Sequence, residues 1–509
     1  MKVKLTIFLL ALSINSVPAI AATNPKAGST CKPEGTSQVY NGLKFTCVKS
    51  GKKLVWDKGV KEEVKVAIGP ENYVFSNLCD RDPFVPQEWK EMHEMALRNY
   101  TCTGGFRYVA GPTNFVTPNA SITPTVELKN VEICKLKNSN DNPYRGIPMP
   151  SYFFKPTIRA NIQMLAVSFP DALANGNPYV EHEKEIKLFL DTLVNSSDVP
   201  INPEFRKVDK YLKMPKNVEE YKLFEHQPNM QLFSKDVVGL WDSEINFSDV
   251  DYVFIVAPTS LVIQQFNRSI WKDFPTNEKR INSAFVAGPL KSDGTNRNSQ
   301  YAGMTQDQWL PQMPFAMIHE GIFHLLGLDD HTADEKYLDP HNIAPFNTDD
   351  LGTGRWGNMS TMVGDLLIWD KWTVGFIDDS QVRCVDTSKS STHWLRPGSS
   401  KGIFEKLLVI PLSNSKAIVV ESRRSTGLNY LYPKATEGAL VYVVDTLDPR
   451  FRYGIYVKRP NNRPESQFAY GFSLGDAALK KGESIQLSGF KISVVDAGDF
   501  GDVVKVEKV

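Results

Sequence analysis

Apolar and polar positions along this chain follow two different periods, and the change between them divides it. Ile162-Gln163-Met164-Leu165-Ala166-Val167-Ser168-Phe169 is a nearly unbroken apolar run ended by Pro170-Asp171. It predicts a strand covered on both faces. Asp251-Tyr252-Val253-Phe254-Ile255-Val256-Ala257 predicts a second. Between them Ile186, Phe189, Leu190, Leu193 and Val194 recur at helical spacing, so residues 181–194 should form an amphipathic helix. Another helix is expected over residues 313–326, with Pro314 suited to its first turn. After about residue 395 the pattern becomes short strands separated by Gly, Pro and Asn. Candidates are 406–412, 417–421, 439–444, 484–487, 491–495 and 503–506. The pattern therefore predicts an α+β chain, with an α/β domain over 151–390 and a β-sandwich over 395–509.

The front of the chain is different. Residues 29–59 form a small cysteine-containing β module: Val39 to Phe45 is a hairpin signal with Asn41-Gly42 at its turn, and Trp56 and a Cys31–Cys47 bridge would make its core. A charged stretch, 58–65, follows as a linker. Residues 60–150 carry three cysteines and many Pro, Asn and Thr, and are expected to be irregular, disulfide-tied or pro-region-like. Cys79, Cys102, Cys134 and Cys384 leave three possible pairings open.

Residues 1–21 have the plan of a secretory signal peptide: Lys2 and Lys4, an apolar run from Leu5 to Leu12, and the small-residue cleavage site Ala19-Ile20-Ala21. Export agrees with the cysteine content. The expectation is a secreted, extracellular protein with no membrane attachment after cleavage. Composition narrows the partners. With 58 basic and 58 acidic residues the formal charge is zero, which gives no electrostatic footprint for nucleic acid.

The candidate chemistry lies in His319-Glu320-Gly321-Ile322-Phe323-His324-Leu325-Leu326-Gly327-Leu328-Asp329-Asp330. Four of the eight histidines fall between 319 and 341. Catalytic zinc takes three protein ligands and keeps one position for water. Residues four apart on an α-helix differ by about 40° around its axis, whereas residues five apart differ by about 140°. His319 and His324 are five apart, so they would diverge on a regular helix. A single π-type turn absorbs the extra residue and returns both to one face. Gly321 eases that distortion, and Gly327 can take a positive φ and end the helix. Asp330 is the candidate third ligand, with Asp329 and His331 as competitors. Glu320 is the candidate general base, taking a proton from a metal-activated water. Downstream tyrosines and His341 are open candidates for an oxyanion donor. The dipeptidyl-peptidase III family binds zinc through the same His-Glu-x-x-x-His spacing, a likeness confined to that motif.

Several segments resemble, in collinear order over roughly residues 160–509, the immune inhibitor A family of secreted bacterial zinc metallopeptidases. His324-Leu325-Leu326-Gly327-Leu328-Asp329-Asp330 is similar to the second half of its His-Glu-x-x-His-x-x-Gly-Leu-Pro-Asp helix. Arg355-Trp356-Gly357-Asn358-Met359-Ser360 resembles its Trp-Asp-x-Met-Ser turn, which gives Met359 the place of the methionine beneath the metal, with Met362 as the alternative. Leu366 to Phe376 resembles the helix after that turn. Val420-Glu421-Ser422-Arg423 and the stretch Glu437 to Asp445 resemble strands of the β-domain. The chain departs from the family in the extra residue between the histidines, in Asn358 where the family has Asp, and in Val443 where it has His. The resemblance implies a zincin-like, metzincin-type catalytic domain, one catalytic zinc, and structural calcium for which Asp334, Asp339, Asp349 and Asp350 are candidates.

These readings converge on a secreted zinc-dependent endopeptidase acting on protein or peptide substrates. Its zinc ligands would be His319, His324 and Asp330, its base Glu320 and its hydrophobic floor Met359. A non-catalytic binding or adhesion protein on a degenerate peptidase fold is the main rival. A metal-dependent hydrolase of a non-protein polymer is the third possibility.

Overall fold

In a computed structural model the described residues are 26–61 apart from 41–42, 114–122, 130–138, 145–149, most of 157–258, short strands between 268 and 287, 318–331, most of 352–460, and 474–509. The expected signal peptide, Cys79, Cys102, Pro314, Met362, His341 and the four calcium candidates lie outside them. Among the described residues no helix is long and apolar enough to cross a membrane. The chain divides into two compact units, residues 1–67 and 68–509.

The first unit is a miniature sheet. Strands β1 (Ser37–Tyr40), β2 (Leu43–Ser50), β3 (Lys53–Trp56) and β4 (Val60–Lys61) surround the Cys31–Cys47 disulfide. Tyr40 pairs with Leu43, the register that a two-residue Asn-Gly loop dictates. Phe45, Cys47 and Trp56 make the core. Val60–Lys61 pairs with β2, so the strand order claims part of the stretch expected as linker.

The second unit is mixed α/β. Its first sheet comprises β5 (Ala160–Ser168), β6 (Pro203–Arg206), β7 (Leu212–Lys213), β8 (Tyr252–Val256), β9 (Arg268–Ile270) and β12 (Ala284–Ala287). A separate pair is β10 (Phe274–Pro275) with β11 (Arg280–Ile281). The order is β6-β5-β8-β12-β9, with β7 also on β5. Neighbours run parallel except β9, which is antiparallel to β12 and is the last strand on that side among the described residues. Every residue of β5 is buried, as its unbroken apolar run required. The helix Glu183–Asn195 sets Phe189 against Tyr252 and Phe254, and the helix Met230–Trp241 sets Phe233 against Phe169.

The C-terminal half supplies two more sheets. One holds β13 (Val382–Cys384), β15 (Leu407–Pro411), β16 (Lys416–Arg423), β17 (Gly438–Asp445) and β18 (Ile455–Val457). The other holds β14 (Ser391–Leu395), β19 (Ser484–Leu487), β20 (Phe490–Gly498) and β21 (Gly501–Lys508). The five-stranded sheet is a middle layer. Leu407, Val409, Ala417, Val419, Leu440 and Tyr442 face the core shared with the α/β layer. Leu408, Ile410, Ile418, Val420, Ala439 and Val441 face the four-stranded sheet. One core thus runs across residue 395 and joins the two regions.

The described residues between 114 and 149 are irregular apart from a 3-10 turn, Val131–Cys134, and they are tied to the C-terminal half. Cys134 pairs with Cys384, Lys137 N donates to Asn414 O at 2.7 Å, and Asn119 N donates to the Asp496 carboxylate at 3.0 Å.

Candidate metal centre

The turn that carries the histidines is short and seated on apolar residues. Ile318, Ile322, Phe323, Leu325, Leu326 and Leu328 belong to the main core. Phe323 packs edge-on to Phe376. With these positions fixed by burial, the chain has one residue too many for an α-turn. It closes instead as a π-helical turn over His319–Phe323, in which His324 N–H bonds to the carbonyl of His319 five residues back. A 3-10 turn, His324–Leu326, follows. Gly327 ends it at φ 98°, where a side chain would be strained, and Leu328 N donates to Phe323 O at 3.1 Å. The turn packs against β9 and β12.

The expected divergence of the two histidines is therefore removed by the π-turn. Their rings meet edge to face with centroids 4.5 Å apart. His319 Nε2 is 3.3 Å and His324 Nε2 3.7 Å from Asp330 Oδ1. One ligand atom from each of the three residues lies within 4.8 Å of the others. Exposure rises across the group, from 2% for the His319 side chain to 38% for that of Asp330, so the carboxylate side opens to solvent.

The outward nitrogens are held in place. His319 Nδ1 is 3.0 Å from Asn358 O and 3.2 Å from Asn358 Oδ1. Asn358 Nδ2 donates to Gly364 O, which turns its acceptor oxygen toward the histidine. His324 Nδ1 is 2.9 Å from Leu328 O. Carbonyl oxygens only accept, so both rings carry their hydrogen on Nδ1 and aim the Nε2 lone pair at Asp330.

The donor set suits a metal. Two imidazole nitrogens and one carboxylate oxygen could hold a metal ion, and donors each about 2.1 Å from a tetrahedral ion stand roughly 3.4 Å apart. The two measured separations bracket that value. The competing third ligands fall outside the converging group. Asp329 Oδ1 accepts from Asp330 N at 2.8 Å. His331 Nε2 lies 3.4 Å from Asp370 Oδ1, both side chains fully buried. Burial lowers the His331 pKa to about 3. Burial and the Glu421 carboxylate push Asp370 well above the carboxylate range.

Met359 is wholly buried in the short helix Asn358–Thr361, and its carbonyl accepts from His331 N at 3.0 Å. That segment is braced from the C-terminal half. Gly357 N donates to Tyr432 OH, and Trp356 Nε1 donates to Leu474 O. Arg423 donates to Leu366 O and pairs with Glu421 at 3.0 Å. Val443 packs with Tyr456 in a small separate cluster. Asn358, noted from the sequence only as a departure, is the partner of His319; the signal was its place beside Met359. Glu320 is the second residue of the π-turn, and its side chain lies outside what is described. Comparison of the chain with protein-family models returns no match, and comparison with curated proteins returns none.

Proposed function

We propose that this protein is an exported zinc-dependent endopeptidase. The observation that carries the reading is the convergence of His319 Nε2, His324 Nε2 and Asp330 Oδ1 on one point, with both histidine tautomers set by carbonyl acceptors. A zinc ion held by these residues would supply Lewis acidity, lowering the pKa of a water and polarising a carbonyl. Glu320, next to the first ligand, would take the proton from that water and pass it to the leaving amine. Met359 would close the floor of the site in apolar contact.

The substrate class is argued from the sheet. β9 is the last strand among the described residues, antiparallel to β12, and it lies beside the metal turn. An extended polypeptide could pair with such an edge and pass the centre in a fixed register. We read this sheet and turn as a zincin-like catalytic layer. Disulfides Cys31–Cys47 and Cys134–Cys384 are compatible with an oxidising, exported setting.

The test is Glu320→Gln. Zinc content should be unchanged while hydrolysis of a casein or peptide panel falls by roughly 10²–10⁴-fold, the usual contribution of a positioned base. Full activity in that variant would remove Glu320 from the mechanism.

A further inference from the structure

We propose that Asp370 is a positioning residue for the metal centre, acting through His331 on the ligand Asp330. The inference rests on the metal-binding reading above and extends it to the C-terminal half of the chain. Asp330 lies beyond Gly327 in a stretch with no regular hydrogen bonding, so its carboxylate takes its place from what holds the next residue. His331 is that residue; two hydrogen bonds hold its backbone and its side chain faces Asp370. Its N–H donates to Met359 O at 3.0 Å, its carbonyl accepts from Thr353 N at 3.3 Å, and its Nε2 faces Asp370 Oδ1 at 3.4 Å. The first two contacts fix the backbone, and the third packs the buried imidazole against the acid without a hydrogen bond.

Asp370 is itself set from below. It sits in the buried helix Ile368–Thr373, and its carbonyl accepts from Val374 N and Thr373 Oγ1. The start of this helix is bound by the middle sheet. Ile368 N donates to Glu421 Oε2 at 2.7 Å, and Tyr442 OH donates to the same oxygen at 2.8 Å. A continuous path therefore runs from β16 and β17 through the helix to Asp370, His331 and Asp330. An acid buried on such a helix without a hydrogen bond is costly, and the structure sets it directly opposite His331. A purely structural role would be filled as well by an apolar side chain of similar size; support of a metal ligand would not.

Zinc affinity of the full chain, measured by competition with a chromogenic chelator, tests this alongside thermal unfolding of the metal-free protein. Asp370→Leu should weaken zinc binding roughly 10–100-fold, the usual effect of losing a group behind a ligand, without lowering the metal-free Tm. Asp370→Asn should restore most of the affinity. Asp502→Asn, at a buried acid paired with Arg424 in the outer sheet, should lower Tm and leave zinc affinity alone. If Asp370→Leu does not fold, His331→Leu removes the other half of the pair and should show the same loss. Wild-type affinity in a folded leucine variant overturns the inference and leaves the metal reading standing. Failure of the wild type to bind zinc overturns both, and is seen before any variant is made.

Discussion

In β15, β16 and β17 alternate residues serve two cores, Leu407 and Val409 on one side and Leu408 and Ile410 on the other. In the histidine turn, five residues from His319 to Phe323 are wound as a π-turn so that two histidines share a face. The sheet satisfies every position by a rule that repeats every two residues. The turn breaks the local rule once, at its chemistry. Regular packing in the C-terminal half, which binds Leu366 and Ile368 through Glu421, Tyr442 and Arg423, braces the segment that follows Met359.

The contrast breaks most sharply by changing the turn's length. An alanine inserted after Gly321 places the histidines six apart, where a helix would turn them by about 240°, and no single π-turn absorbs that. Zinc affinity should fall at least about 100-fold in a chelator titration. On the sheet side, Cys384→Ser removes a link spanning 250 residues. It should cost about 3 kcal/mol in denaturant unfolding, with zinc binding retained by the folded fraction. Deleting Gly321 should matter less than inserting a residue. It leaves the histidines four apart, about 40° around an α-helix, so they stay on one face and affinity should change less than about 10-fold. A complete loss on deletion would mean that the π geometry itself is needed.

The smallest effect concerns Lys401. Its ammonium donates to the carbonyls of Val194 and Ser197 at the end of the helix Glu183–Asn195. Burial lowers its pKa from 10.5 to about 7. Between these values the unfolded chain holds a proton that the folded one releases, so stability should rise as pH climbs from about 7 toward 10.5 and be flat below. The gain should be on the order of 1 kcal/mol, because the side chain keeps some contact with water. Lys401→Met should flatten the profile in thermal melts.

The strands were legible because burial writes itself as period and run. Residues 160–168 and 252–256 fall where the apolar runs placed them, and six of the C-terminal strands match their candidates to within a few residues. β13, β14 and β18 were not seen: three to five residues with Arg383, His393 or Tyr456 among them do not make a pattern. The π-turn was legible from arithmetic alone, since two histidines five apart can share a face in few other ways. The Cys134–Cys384 pairing was not, because it depends on how an irregular segment crosses the sheets. Nor was the role of Asn358, which needs the turn at 357–364 folded against the histidines before its carbonyls can find His319. A boundary at residue 395 was suggested by the change of period, but side-chain alternation cannot report that one sheet's two faces belong to two cores.

The most direct measurement is zinc per chain, by elemental analysis of the purified protein without added metal. About one zinc per chain is expected from a three-ligand site of this kind, and it should be lost in His319→Ala and His324→Ala. A wild-type chain that carries none, and takes up none when zinc is offered, would contradict the central claim and leave the binding-protein reading in its place.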